Sequence, residues 1–148
     1  MTAPDGAILG VDVGSVRIGV AICEGAEVPP VPLTTIQHTS RAKDVAALVT
    51  LATERDARTI VIGYPLRLDG SAGPAAANVD RFVDALHTSY EGEVVRVDER
   101  MTSAAAEKKL RTRSSGSDLT ASKRRQVVDQ LAAVEILITY VARRRSRE

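Results

Sequence analysis

A chain of 148 residues, 44% hydrophobic and 26% charged, is long enough to bury roughly two thirds of its unfolded surface, so a single domain over residues 1–148 is expected. Its 20 basic and 19 acidic residues nearly cancel, which excludes a protein that is polycationic throughout, and its one cysteine, Cys23, excludes an internal disulfide. No apolar run reaches membrane-spanning length, and Met1-Thr2-Ala3-Pro4-Asp5 lacks the regions of a signal peptide, so a cytoplasmic protein with no membrane partner is expected.

Along the chain, Ala7 to Val13 reads as a buried strand and Arg17 to Glu24 as a second. The short Gly14-Ser15-Val16 link makes the pair an antiparallel hairpin. Val31 to His38 is a third strand, delayed by Pro29-Pro30, and a helix follows from about Ser40 with Val45, Leu48, Val49 and Ala52 on one face. Arg58 to Tyr64 is an apolar strand of the kind buried on both faces in parallel sheets. Asp69 to Pro74 is a loop of small residues, expected to be mobile. A second helix turns Val79, Phe82, Val83, Leu86 and Tyr90 inward, and Val94 to Val97 is the fifth strand. Thr102 or Ser103 is suited to cap a third helix reaching about Arg113, a polar loop follows to Ala121, and a last helix runs from about Ser122 to Arg143 with a basic tail beyond. Three strands followed by alternating helices and strands give an α/β fold, a five-stranded mixed sheet in three layers. Right-handed crossovers set the strand order 3-2-1-4-5.

Charge is unevenly spread. Residues 1–100 hold 9 Lys and Arg against 14 Asp and Glu, a balance of −5, and residues 101–148 hold 11 against 5, a balance of +6. A basic C-terminal third on a nearly neutral chain points to a local face for a polyanion. The plainer alternative is a solvated helix surface with a basic tail, Arg143-Arg144-Arg145. Only Tyr64, Phe82, Tyr90 and Tyr140 are aromatic, too few for a base-stacking platform, so shape and backbone contacts are expected to dominate any nucleic-acid binding. His38 and His87 lack metal or catalytic spacing and read as structural or exposed.

Three carboxylates carry the chemistry. Asp12 ends the first strand, Glu99 follows the fifth, and Asp129 lies in an apolar helix with Ala132, Ala133, Ile136 and Tyr140 on its inward side. Gathered at one end of a sheet they repel one another, and a divalent cation is the usual remedy. Oxygen donors without a His or Cys cluster suit Mg²⁺ or Mn²⁺ rather than zinc, and such a site suggests phosphoryl transfer. Gly14 permits close approach by a phosphate or metal, but Asp-X-Gly is also common at ordinary hairpin turns. Gly63 and Pro65 either shape a substrate floor or punctuate a strand end. Asp98-Glu99-Arg100-Met101-Thr102-Ser103 places acids, a guanidinium and hydroxyls before a helix N-terminus, and strand alternation lets only one of Asp98 and Glu99 reach the site. Lys123, Arg124 or Arg125 is a candidate salt-bridge partner for Asp129.

Four segments in order resemble the YqgF/RuvX family, RNase H-like proteins related to the RuvC Holliday junction resolvases. They are Asp12-X-Gly14-X-X-Arg17-Ile18-Gly19; Gly63-X-Pro65-Leu66 with Asp69-Gly70-Ser71; Asp98 through Ser103; and Val128-Asp129-X-X-Ala132-Ala133 with Ile136-Leu137. The resemblance runs from Ile8 to about Tyr140. It implies an RNase H-like fold and a metal-dependent nuclease that trims the 5′ end of precursor 16S rRNA or, by analogy with RuvC, cleaves four-way DNA junctions. Asp12, Glu99 and Asp129 fall on the acidic positions, with Asp12 serving two Mg²⁺ or Mn²⁺ ions roughly 4 Å apart. RuvC-type sites carry a fourth acid, and here the last helix offers only Glu135, which helical spacing turns elsewhere. Gly14, Arg17, Arg100 and Thr102 are then expected at the substrate, with Arg17 and Arg100 on phosphate oxygens. Lys108, Lys109, Arg111, Arg113, Lys123, Arg124 and Arg125 flank a loop able to embrace structured RNA or branched DNA. Symmetric junction cleavage needs a homodimer, which the sequence does not reveal.

Two rival classes remain at this level. Asp-X-Gly after a first strand also opens sugar kinases and actin-like ATPases, but those need two such domains and this chain has room for one. The stronger rival is a non-catalytic ribosome-assembly or nucleic-acid-binding factor.

Overall fold

The computed structural model describes residues 6–25, 27–99 and 119–146. The elements are β1 (Ala7–Val13), β2 (Arg17–Cys23), β3 (Val31–Gln37), α1 (Arg41–Glu54), β4 (Ala57–Tyr64), α2 (Pro74–His87), β5 (Glu93–Asp98) and α3 (Leu119–Ser146). They form one five-stranded sheet in the order β3-β2-β1-β4-β5. The hairpin β1–β2 and the pair β2–β3 are antiparallel, while β1–β4 and β4–β5 are parallel. This is the expected topology: hairpins join neighbours directly, and helices α1 and α2 make the crossovers that parallel pairs require.

Each crossover has local causes. Ser40 caps α1 by accepting a bond from Lys43 N, and Pro74 opens α2 where its missing N–H costs nothing. Asp56 turns the chain from α1 into β4 at φ 54°, a left-handed position that Asp tolerates better than most residues. The loop of small residues at 69–74 is bonded as a turn. Leu66 bridges Ala72, Arg67 N donates to Ser71 O at 2.9 Å, and Asp69 Oδ1 accepts from the Ser71 N–H and hydroxyl. The side chain of Asp69 does there what a longer ladder would otherwise do.

Helices α1 and α2 cover one face of the sheet, where Leu9, Val11, Ile18, Val20, Ile60 and Ile62 meet Val45, Leu48, Val79, Phe82 and Leu86. Helix α3 covers the other, over a smaller cluster of Ile8, Ala21, Cys23, Val61, Val97, Ala133, Ile136 and Leu137. Gln130 pins α3 to the edge strand through Thr35 Oγ1 at 2.8 Å. No helix among the described residues is long and apolar enough to cross a membrane.

Candidate active site

The sheet face under α3 carries a row of three residues across three strands. Asp12 of β1 is paired with Gly19 of β2, and the register Val11↔Ile62 places Gly63 of β4 one step on, at its other side. Strand alternation turns Gly10, Asp12, Gly19 and Gly63 all toward α3. A Cβ on Gly10 would lie 2.5 Å from Leu137 Cγ and 2.8 Å from Ala133 O.

The two glycines beside Asp12 make room for the other two acids. A Cβ on Gly19 would collide with the backbone carbonyl of Asp129, and one on Gly63 would sit 2.5 Å from Glu99 Oε1 and 2.6 Å from Ile136 Cδ1. Asp129 therefore lies over the glycine on one side of Asp12, and Glu99 over the glycine on the other. With strands about 4.8 Å apart, the three acids gather across roughly 10 Å of sheet. Asp12, Glu99 and Asp129 are 1%, 3% and 1% exposed. Ala132 and Ala133 are fully buried, as expected of the close-lying stripe that begins at Asp129. Of the adjacent acids Asp98 and Glu99, Glu99 is the one over the row; Asp98 ends β5, half-buried and in register with Tyr64.

Burying carboxylates needs compensating charge. Arg17, at the start of β2, directs Nε to Asp129 Oδ2 at 2.9 Å, with its side chain 14% exposed. Lys123, Arg124 and Arg125 were the alternative partners considered for Asp129; the ion pair seen here is with Arg17, a residue expected near the substrate. Arg17 is brought there because the tight turn, Gly14 N to Arg17 O at 3.0 Å, starts β2 beside the end of β1. In donor chemistry the acids fit a hard divalent cation, being all oxygen with no imidazole or thiolate among them. Among the described residues, however, no group of three His, Cys, Asp or Glu side chains is arranged to hold one ion; one oxygen of Asp129 is turned to Arg17 instead.

Other expected site residues fall into two groups. Gly14 forms the turn just described, and Lys123 and Arg124 are exposed on the early turns of α3 with Arg125 half-buried beside them. Arg100, Thr102, Lys108, Lys109, Arg111 and Arg113 lie outside the described residues. Sequence reasoning offered Gly63 as a floor for substrate, not for Glu99, and missed the flooring role of Gly19. Their signal was a glycine inside each of two otherwise apolar strands. It also missed a clamp on the opposite face. Tyr64 donates to Asp80 Oδ2 at 2.9 Å, Arg96 reaches Asp80 Oδ1 at 3.1 Å, and the Arg96 guanidinium lies 5.7 Å from the Tyr64 ring centre. The bond to Asp80, which favours the neutral phenol, raises the Tyr64 pKa above its ordinary value. The clamp ties β4, β5 and α2 together beneath the site.

A family model described as "RuvX: Holliday junction resolvase" matches residues 6–143. A curated relative from Chloroflexus aggregans (strain MD-66 / DSM 9485), named "Putative pre-16S rRNA nuclease", is 42% identical over 139 residues, covering 94% of this chain and 95% of the relative. One of the same name from Myxococcus xanthus (strain DK1622) is 39% identical over 129 residues, 87% of this chain and 83% of the relative. Among solved structures, T. thermophilus RuvC in complex with a Holliday junction substrate is similar at a TM-score of 0.56, over 93% of this chain and 95% of that one, with 10% identity. A second Thermus thermophilus RuvC structure gives 0.51 at 11% identity. These similarities establish the RNase H-like fold that the resemblance implied, with the strand order read from the chain. The family match and the relatives go further, and the chain belongs to the RuvX family.

Proposed function

We propose that this protein is a divalent-metal-dependent nuclease that hydrolyses phosphodiester bonds in structured nucleic acid, with the 5′ region of precursor 16S rRNA as its substrate. The observation that carries the proposal is the row Gly19–Asp12–Gly63 with Asp129 and Glu99 over its ends. Three buried acids brought together by two missing side chains are costly to fold, and phosphoryl transfer gives them a use. The choice of RNA follows the names of the curated relatives. A second reading, cleavage of four-way DNA junctions, is favoured by the family description and by the junction-bound RuvC.

Within this reading Asp12, Glu99 and Asp129 would be the residues that hold the cation. When bound, Mg²⁺ or Mn²⁺ lowers the pKa of water and offsets the charge developing on the phosphate. The chain's own residues do the rest. Burial of the acids keeps bulk water from them, and Arg17 holds Asp129 over Gly19 by its 2.9 Å ion pair. A guanidinium there also opposes the negative charge a phosphate brings. Lys123 and Arg124, exposed at the beginning of α3, meet the nucleic-acid backbone without reading bases.

The test compares wild type with Asp12→Asn in Mg²⁺ and Mn²⁺, on labelled precursor 16S rRNA fragments and synthetic four-way junctions side by side. Cleavage of the RNA by wild type alone is the expected result. Preferred cleavage of the junction replaces the substrate. Binding without cleavage of either, in both metals, overturns the enzyme and leaves an assembly factor.

A further inference from the structure

We propose that the cavity on the α1/α2 face, directly behind Asp12, is a second phosphate-binding subsite for the nucleic-acid strand, with His38 and Arg41 as its anchors. The inference rests on the nucleic-acid reading above and adds to it a site on the other side of the sheet. The cavity measures about 440 Å³ and lies between the tip of the β1–β2 hairpin, the first turn of α1 and the middle of α2.

Its polar wall is built, not incidental. Asp44 is 3% exposed, and both of its oxygens are engaged: Oδ2 with His38 Nδ1 at 2.5 Å and Oδ1 with the Thr39 N–H at 3.1 Å. Capping the turn before α1 needs only the bond to Thr39. The bond to His38 does something further: it holds Nδ1 inward and leaves Nε2 as the outward nitrogen of a ring 44% exposed. An aspartate bonded to an imidazole in this way fixes the ring's orientation, as the orienting aspartate of a catalytic triad does. Arg41 lines the same cavity and makes no ion pair among the described residues. Ser15 and Asn78 add neutral donors, and Phe82 an apolar part of the lining. A guanidinium, an outward ring nitrogen, a hydroxyl and an amide, beside a single acid whose two oxygens are both bonded within the wall, suit a phosphate group.

Position links the cavity to the acids. Val13, in its wall, is the residue after Asp12 and faces the opposite way. His38 N donates to Val16 O at 3.0 Å, tying the wall to the hairpin that carries Asp12 and Arg17 at its two ends. A strand whose reacting phosphate sits over Asp12 and then rounds the sheet at Gly14–Val16 presents a neighbouring phosphate to His38 and Arg41.

The test follows the His38 side-chain ¹⁵N–¹H signals of the full-length protein by NMR during titration with uridine 5′-monophosphate, inorganic phosphate and uridine. The nucleotide and inorganic phosphate are expected to shift them and uridine to leave them in place. Arg41→Gln, a change at an exposed side chain, is expected to weaken the nucleotide about tenfold. The same substitution in an Asp12→Asn background should weaken a single-stranded RNA oligonucleotide and reduce the salt slope of its binding by about one. No response of His38 to the nucleotide overturns the proposal, as does a response that Arg41→Gln leaves unchanged. A response to inorganic phosphate alone makes this a free-anion site and overturns it as a nucleic-acid subsite. Failure of the nuclease reading is seen separately: absent cleavage with His38 still responding removes the enzyme and keeps the subsite, and cleavage with a silent His38 does the reverse.

Discussion

The two faces of the central sheet come from alternate residues of the same strands, yet they are built to opposite rules. Toward α1 and α2 the strands offer Leu9, Val11, Ile18, Val20, Ile60 and Ile62, bulky side chains that fill a thick core. Toward α3, Ile8, Cys23, Val61 and Val97 form a smaller cluster, while around the acids the positions are Gly10, Asp12, Gly19, Ala21 and Gly63, so that α3 lies there on nearly bare backbone. The first face holds the fold together by burial, each large side chain contributing about 1.5–3 kcal/mol. The second gives up much of that burial, and where the side chains are missing it holds acids. Stability and chemistry are thus divided by the period-two alternation of a strand, not by region of the chain.

The sharpest test of this division is Asp12→Asn. The change is nearly isosteric and removes a charge from a crowded acidic set, so cleavage should fall by about 10³-fold while the urea midpoint stays at or above that of wild type. A drop in stability comparable to a core deletion would show that the acid row also supports the fold, and the contrast between faces would fail. Gly19→Val should break both properties at once. Its side chain has nowhere to go but into the backbone of Asp129, so we expect a loss of about 3 kcal/mol or more and displacement of Asp129 from beside Asp12. A folded, active Gly19→Val protein would mean that the helix is not seated as described. On the opposite face, Leu48, fully buried, tests the converse. Leu48→Ala should cost about 3 kcal/mol with kcat and KM unchanged well below the melting temperature; an altered kcat would couple the core to the chemistry.

What could be read from the chain follows the same division. Apolar runs such as Leu9–Val11 and Ile60–Ile62 mark strands by themselves, and crossover handedness then leaves few orders, so β3-β2-β1-β4-β5 was legible. Asp12, Glu99 and Asp129 were legible because acids beside apolar segments are conspicuous. Gly19, and what lies over Gly63, were not, because a glycine's role depends on what approaches it, which appears only once strands are in register. The ion pair of Arg17 with Asp129 was not legible, since the two lie 112 residues apart. His38 was set aside as isolated because its partner, Asp44, reads in sequence as an ordinary acid of a helix's first turn; only burial shows that it must bond to something.

The smallest effect lies at the edge of the thicker face. Tyr90, just past α2, packs against that core and donates its hydroxyl to Ala57 O at 2.9 Å. Burial, with a further contribution from the charge of Glu93, pushes its pKa up to about 12 from the usual 10.0. Between those values the folded protein binds more protons than the unfolded chain. The contribution is therefore complete below pH 10 and is lost as pH rises toward 12. The ring is partly exposed, so screening by water reduces it to about 1 kcal/mol. Urea denaturation of wild type and Tyr90→Phe should show a gap favouring wild type near pH 9 that closes as pH approaches about 12, with nuclease activity at neutral pH the same in both. A gap that does not vary with pH would place the titrating group elsewhere. A change in activity would contradict the division more directly, because Tyr90 touches only the face that holds the fold.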